Sequence, residues 1–112
     1  MTTQLKDLNQ FNGSEQYHNV MGMKCTDGVA YLLENNYAWF VTDSIVILRM
    51  EDKVKTQEFV TVKLKLKGTT AIVEYSDGNN NVLYTQKYGY TDATEELKLY
   101  CTDGVYMLSS EY

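Results

Sequence analysis

Between residues 60 and 67 apolar and polar side chains alternate without a break, Val60, Val62, Leu64 and Leu66 against Thr61, Lys63, Lys65 and Lys67. Successive side chains of an extended strand point to opposite faces, so this period of two predicts a half-buried antiparallel strand carrying an exposed lysine row. Gly68 ends it, and Ala71, Val73 and Tyr75 continue the pattern on a second strand. Ser76-Asp77-Gly78-Asn79-Asn80 is a dense turn signal ahead of a third strand over 82–88. After a polar connection, Leu97, Leu99 and Cys101 alternate with Lys98 and Tyr100, and Thr102-Asp103-Gly104 turns the chain into a last strand ending at Leu108.

Upstream of residue 53 the period is helical. Leu5, Leu8 and Phe11 share one side of a short helical turn or arm that Asn12-Gly13 breaks. A helix is expected over 28–34, with Thr26 or Asp27 accepting hydrogen bonds from its first free amides and Asn35-Asn36 as its stop. A second is expected over 37–50. At about 100° per residue, Phe40, Val41, Ile45, Ile47 and Leu48, with Tyr37 and Ala38, fill one broad face of it. Trp39, Val46 and Met50 fall inside the opposite, polar arc as a second apolar stripe around Asp43, which something must cover. That cover is either the Leu5, Leu8, Phe11 arm or another chain.

These elements predict one α+β domain over 1–112: an N-terminal arm (1–24), a helical half (25–52) and a sheet (53–112). Two N-terminal helices would pack on one face of a four- to five-stranded antiparallel meander, leaving Lys63, Lys65, Lys67 and Lys98 on the other. The pentapeptide Cys-Thr-Asp-Gly-Val occurs at 25–29 and again at 101–105. It reads as punctuation in both places, starting a helix in the first and turning a hairpin in the second.

Composition narrows the function classes. A 44% hydrophobic fraction and ten tyrosines are enough for a folded core. The net charge of −5 disfavours non-specific binding to nucleic acid or to an anionic membrane. No stretch is long and apolar enough to span a bilayer and no secretory signal is read at the N-terminus, so a cytoplasmic protein with reduced cysteines is expected. Structural zinc needs about four ligands, whereas the chain offers Cys25, Cys101 and one histidine, His18, at no short spacing; no metal and no cofactor is inferred. A Cys25 and His18 nucleophile pair would need a depressed thiol pKa and an orienting third group. Asp27 and Asp103 precede glycine, the context that caps and tight turns select, so they are not read as an acid-base pair.

Three segments carry a resemblance. They are Leu8-Asn9-Gln10-Phe11-Asn12-Gly13-Ser14-Glu15-Gln16-Tyr17; Thr26-Asp27-Gly28-Val29-Ala30-Tyr31-Leu32 with Tyr37-Ala38-Trp39-Phe40; and Leu108-Ser109-Ser110-Glu111-Tyr112. Together they resemble the bacterial family called domain of unknown function 6876, over nearly the whole chain. Gln16-Tyr17-His18 and Tyr37-Ala38-Trp39 depart modestly from its aromatic pairs. The family has no established activity; the resemblance implies a bacterial or phage origin, with members on plasmids and integrating elements, sometimes beside antirestriction genes.

The expected function is a non-enzymatic protein-protein interaction module of the mobile-element type, with no catalytic residues. Its partner would be a host defence nuclease, in the anti-CRISPR or antirestriction class, gripped by Trp39, Val46 and Met50 with Asp43, Glu51 and Asp52 at the rim. One alternative is a homodimer paired through the same helix. Another, disfavoured by the net charge, is a single-stranded nucleic-acid binder using Lys63, Lys65 and Lys67.

Overall fold

A computed structural model describes residues 16–112. The arm expected at Leu5, Leu8 and Phe11 lies outside them. The described chain runs β1 (His18–Val20), β2 (Met23–Cys25), α1 (Asp27–Glu34), α2 (Ala38–Met50), α3 (Asp52–Lys55), β3 (Phe59–Lys67), β4 (Thr70–Ser76), β5 (Val82–Tyr88), β6 (Leu97–Thr102) and β7 (Val105–Leu108), closing on a 3-10 turn, Ser109–Glu111. All seven strands form one sheet in the order β1-β2-β7-β6-β3-β4-β5.

This corrects the expected four- to five-stranded antiparallel meander beneath two N-terminal helices. Strands come first, the helices begin at Asp27, and the sheet is mixed because β2 pairs with β7 in parallel. The three meander strands and the β6-β7 hairpin occur where the alternation placed them. The two added strands have three residues each and pair with one another, and the second is held to the sheet by the distant β7. Their hairpin turns on Met21 and Gly22, both at positive φ (53° and 85°). That turn is fastened from outside: Asn19 Oδ1 accepts from the Gly22 amide at 3.0 Å, and Arg49, near the end of α2, donates to the Met21 carbonyl at 2.6 Å. No local pattern announces such a turn, since a methionine rarely occupies the left-handed region.

The helices cover one face only. On that face Val60, Val62 and Leu64 align across the sheet with Ala71, Val73, Tyr75, Leu97, Leu99, Tyr106 and Leu108, all buried. From α2, Phe40, Val41, Ile45 and Leu48 close the layer. The contact holds one fully buried polar pair, the Tyr106 hydroxyl donating to Ser44 Oγ at 2.8 Å, which satisfies a phenol that would otherwise be costly to bury.

The start of α1 is capped from the far end of the chain. Thr26 is its N-cap residue yet makes no side-chain cap bond, and Asp27 turns to His18 instead. The cap is Glu111: its carboxylate accepts from Thr26 Oγ1 at 2.6 Å, the Leu108 amide at 3.0 Å and the Gly28 amide at 3.2 Å. Gly28 is required because a Cβ there would collide with Leu108 and Glu111. The second pentapeptide behaves as expected, with Asp103 and Gly104 at positive φ in the tight turn between β6 and β7. Replacing Glu111 by alanine orphans three donors, so Glu111→Ala should cost about 1–3 kcal/mol in urea unfolding, and Glu111→Gln less. Equal midpoints for wild type and Glu111→Ala would contradict the cap.

Candidate functional site

The expected stripe on α2 divides in two. Trp39 is half-buried, its ring edge-on to Tyr88 of β5 at 5.1 Å, and Asp43 accepts from the Tyr88 hydroxyl at 2.8 Å. Burial, then the bond to Asp43, pushes the Tyr88 phenol upward in pKa. Val46 and Met50 remain outside, 43% and 71% exposed. Glu51 is half-buried as the residue preceding α3, and exposed Asp52 pairs with Lys55 at 3.0 Å. Part of the stripe is therefore covered by β5, a cover other than the arm or the second chain expected from the sequence.

His18 and Cys25 are cross-strand partners in the β1-β2 hairpin, closer than their spacing suggested. Their functional atoms do not meet. His18 Nε2 bonds Asp27 Oδ1 at 2.8 Å, whereas the buried Cys25 thiol donates to the Met23 carbonyl at 3.7 Å. Desolvation, with Cys101 nearby, pushes the Cys25 thiol up to about 12, and burial pushes Cys101 to about 11. Both cysteines are free, and they flank Tyr106 across adjacent strands, so the two pentapeptides meet around one residue. A cleft of about 620 Å³ opens beside Cys101, floored by Leu48, Val54 and Val60. Burial disfavours the thiolate, the nucleophilic form, at Cys101 beside this cleft. Among the described residues no cluster of three His, Cys, Asp or Glu can hold a metal, and no helix is long and apolar enough to cross a membrane.

Among the described residues no helix lies on the other face of the sheet. Register places Lys63, Lys65 and Lys67 of β3 there, joined by Lys98 of β6, Lys87 of β5 and Lys24 of β2. Lys98 lies directly across from Lys63, and Lys87 and Lys65 flank Ile72. These six are drawn from only ten basic residues in the chain. Glu74 alone among the strand residues opposes them, pairing with Lys65 at 2.9 Å, and Glu96 sits at the margin, accepting from the Leu66 amide at 2.9 Å.

Beside the lysines lies an aromatic group. Phe59, Tyr100 and Tyr112 form a triangle with ring centroids 5.1, 5.2 and 5.5 Å apart, and the Lys98 ammonium stands 5.4 Å from the Tyr100 ring. Lys24 stands 5.3 Å from the ring of Tyr17. Tyr17 and Tyr112, 56% and 72% exposed, border a trough of about 310 Å³ floored by Val105 and Met107. Sequence reasoning found Lys63, Lys65 and Lys67 because they share one strand. Lys24, Lys87, Phe59, Tyr17 and Tyr112 join them only through pairings between distant segments.

The thiols generate a prediction with a definite sign. From an ordinary value of 9.0 their folded pKa values rise to about 12 and 11, so the unfolded chain releases these protons first. Stability from this source is intact below pH 9 and falls as pH rises from about 9 toward 11–12. Tyr75, Tyr88 and Tyr106, also raised, add the same sign above 10. A Cys25→Ala/Cys101→Ala variant should lose the part of the slope that begins near pH 9 in urea unfolding. An unchanged slope would show that the thiols are not held protonated.

No curated protein and no solved structure matches this chain. A family model does match, over residues 2–112, and the chain belongs to that family, the family of unknown function DUF6876.

Proposed function

We propose that this protein is a non-enzymatic binding protein that receives a negatively charged macromolecule on the open face of its sheet. The observation that carries the reading is segregation of charge: a chain with net charge −5 gathers six of its ten basic residues on one face, across which no helix of the described residues lies. Exposed lysines also keep open strands from aggregating. That role is served at edge strands, however, whereas β3 is an interior strand, paired with β4 through Lys67 and with β6 as far as Leu64, so that Lys63 has a strand on either side. A local positive field steers an acidic partner even when the whole molecule is negative.

In this reading the protein works in the cytoplasm of a bacterial host. A defence nuclease as the partner draws on the mobile-element setting that the family resemblance implies. A second reading, a protein partner or a second copy on α2, is favoured by the exposed Val46 and Met50. Static light scattering separates its dimer form: a Met50→Glu variant would convert a dimer to a monomer.

The main reading is tested on immobilised heparin at low salt. Wild-type protein should be retained and should elute early as salt rises, because each lysine-anion contact releases counterions. A Lys67→Glu/Lys87→Glu/Lys98→Glu variant, all at exposed positions, should flow through with an unchanged circular dichroism spectrum. Flow-through of the wild type would overturn the proposal.

A further inference from the structure

We infer that the anion taken by this face is single-stranded nucleic acid, with at least one base seated in the trough between Tyr17 and Tyr112; this rests on the binding reading above and names its ligand.

Three features select that ligand. Lysines alternate along β3, about 6.8 Å apart at two residues of strand rise, a spacing comparable to that of successive phosphates in an extended single strand. They continue sideways onto Lys98 and Lys87, so a strand can lie across the sheet or along it with a cation in reach. A lysine field alone would accept any polyanion. The second feature is aromatic: Phe59, Tyr100 and Tyr112 adjoin the lysine rows on the same face, the first two half-buried against each other and behind Tyr112, whose exposed ring can stack on an unpaired base whatever its sequence.

The third feature is the trough. Val105 and Met107 give it an apolar lining beside two exposed tyrosines, while Thr26 and Thr102 contribute hydroxyls and Asp103 and Glu111 carboxylates. A flat heterocycle with amino and carbonyl edges fits that mixture, whereas a glutamate or aspartate side chain of an acidic protein has no use for the rings. A duplex is also a poor match, because its bases are stacked inside and its major groove admits a helix or a two-stranded ribbon rather than the face of a broad sheet.

The experiment measures fluorescence anisotropy of three labelled probes with the full chain at low salt: a 15-nucleotide deoxythymidine oligomer, a duplex of equal length, and poly-L-glutamate. The oligomer should bind tightest, and Tyr17→Ala and Tyr112→Ala should each weaken it roughly fivefold or more, the loss of one stacked base. Both tyrosines are exposed, and circular dichroism checks that each variant folds. If poly-L-glutamate or the duplex binds as well as the oligomer, or if both tyrosine variants bind the oligomer like wild type, the single-strand inference falls while anion binding by the face stands. If none of the three binds, both fall.

Discussion

The alternation along β3 allows only one side of the sheet to enter a core, and the rest of the molecule is arranged around that restriction. Val60, Val62 and Leu64 are buried, and Lys63, Lys65 and Lys67 on the opposite side of the strand cannot be buried without a large desolvation cost. All three helices must therefore share a face. The buried bond between Tyr106 and Ser44 fixes how α2 lies on it, and Tyr88 draws Trp39 and Asp43 down onto β5. What is left over is a lysine-bearing face with nothing of the described chain across it.

Closure of the fold is a long-range matter. The N-terminal hairpin joins the sheet only by parallel pairing of β2 with β7, which brings the two Cys-Thr-Asp-Gly-Val copies to either side of Tyr106. Glu111 then reaches back across the same junction to cap α1. First and last described segments thus stabilise each other, and the close approach of Leu108 explains why the repeat must carry glycine at position 28. In the second copy the same glycine, Gly104, serves a different need, positive φ in a hairpin. One short sequence meets two requirements because glycine satisfies both close approach and left-handed geometry.

Elements with strong local periodicity were legible from residue order: β3, β4, β5, the β6-β7 hairpin, and α2 within a residue of its expected limits. His18–Val20 and Met23–Cys25 were not, because three-residue strands carry no readable period and their hairpin joins the sheet only through the pairing of Met23–Cys25 with a strand about 80 residues away. The same reason divides the candidate site. Lys63, Lys65 and Lys67 announce a face from a single strand. The contributions of Lys24, Lys87, Tyr17 and Tyr112 depend on strand order, which residue spacing does not encode. Net charge misdirects for a related reason: −5 is a sum, and a partner meets a distribution.

In the proposed function the protein meets its ligand on the lysine-bearing face of the sheet rather than on α2. Amide chemical-shift mapping with the deoxythymidine oligomer tests it most directly. Perturbations should concentrate at Lys63, Lys65, Lys98, Tyr100, Val105 and Tyr112, with Val46 and Met50 unmoved. Shifts confined to α2, or none at saturating oligomer, would contradict the account.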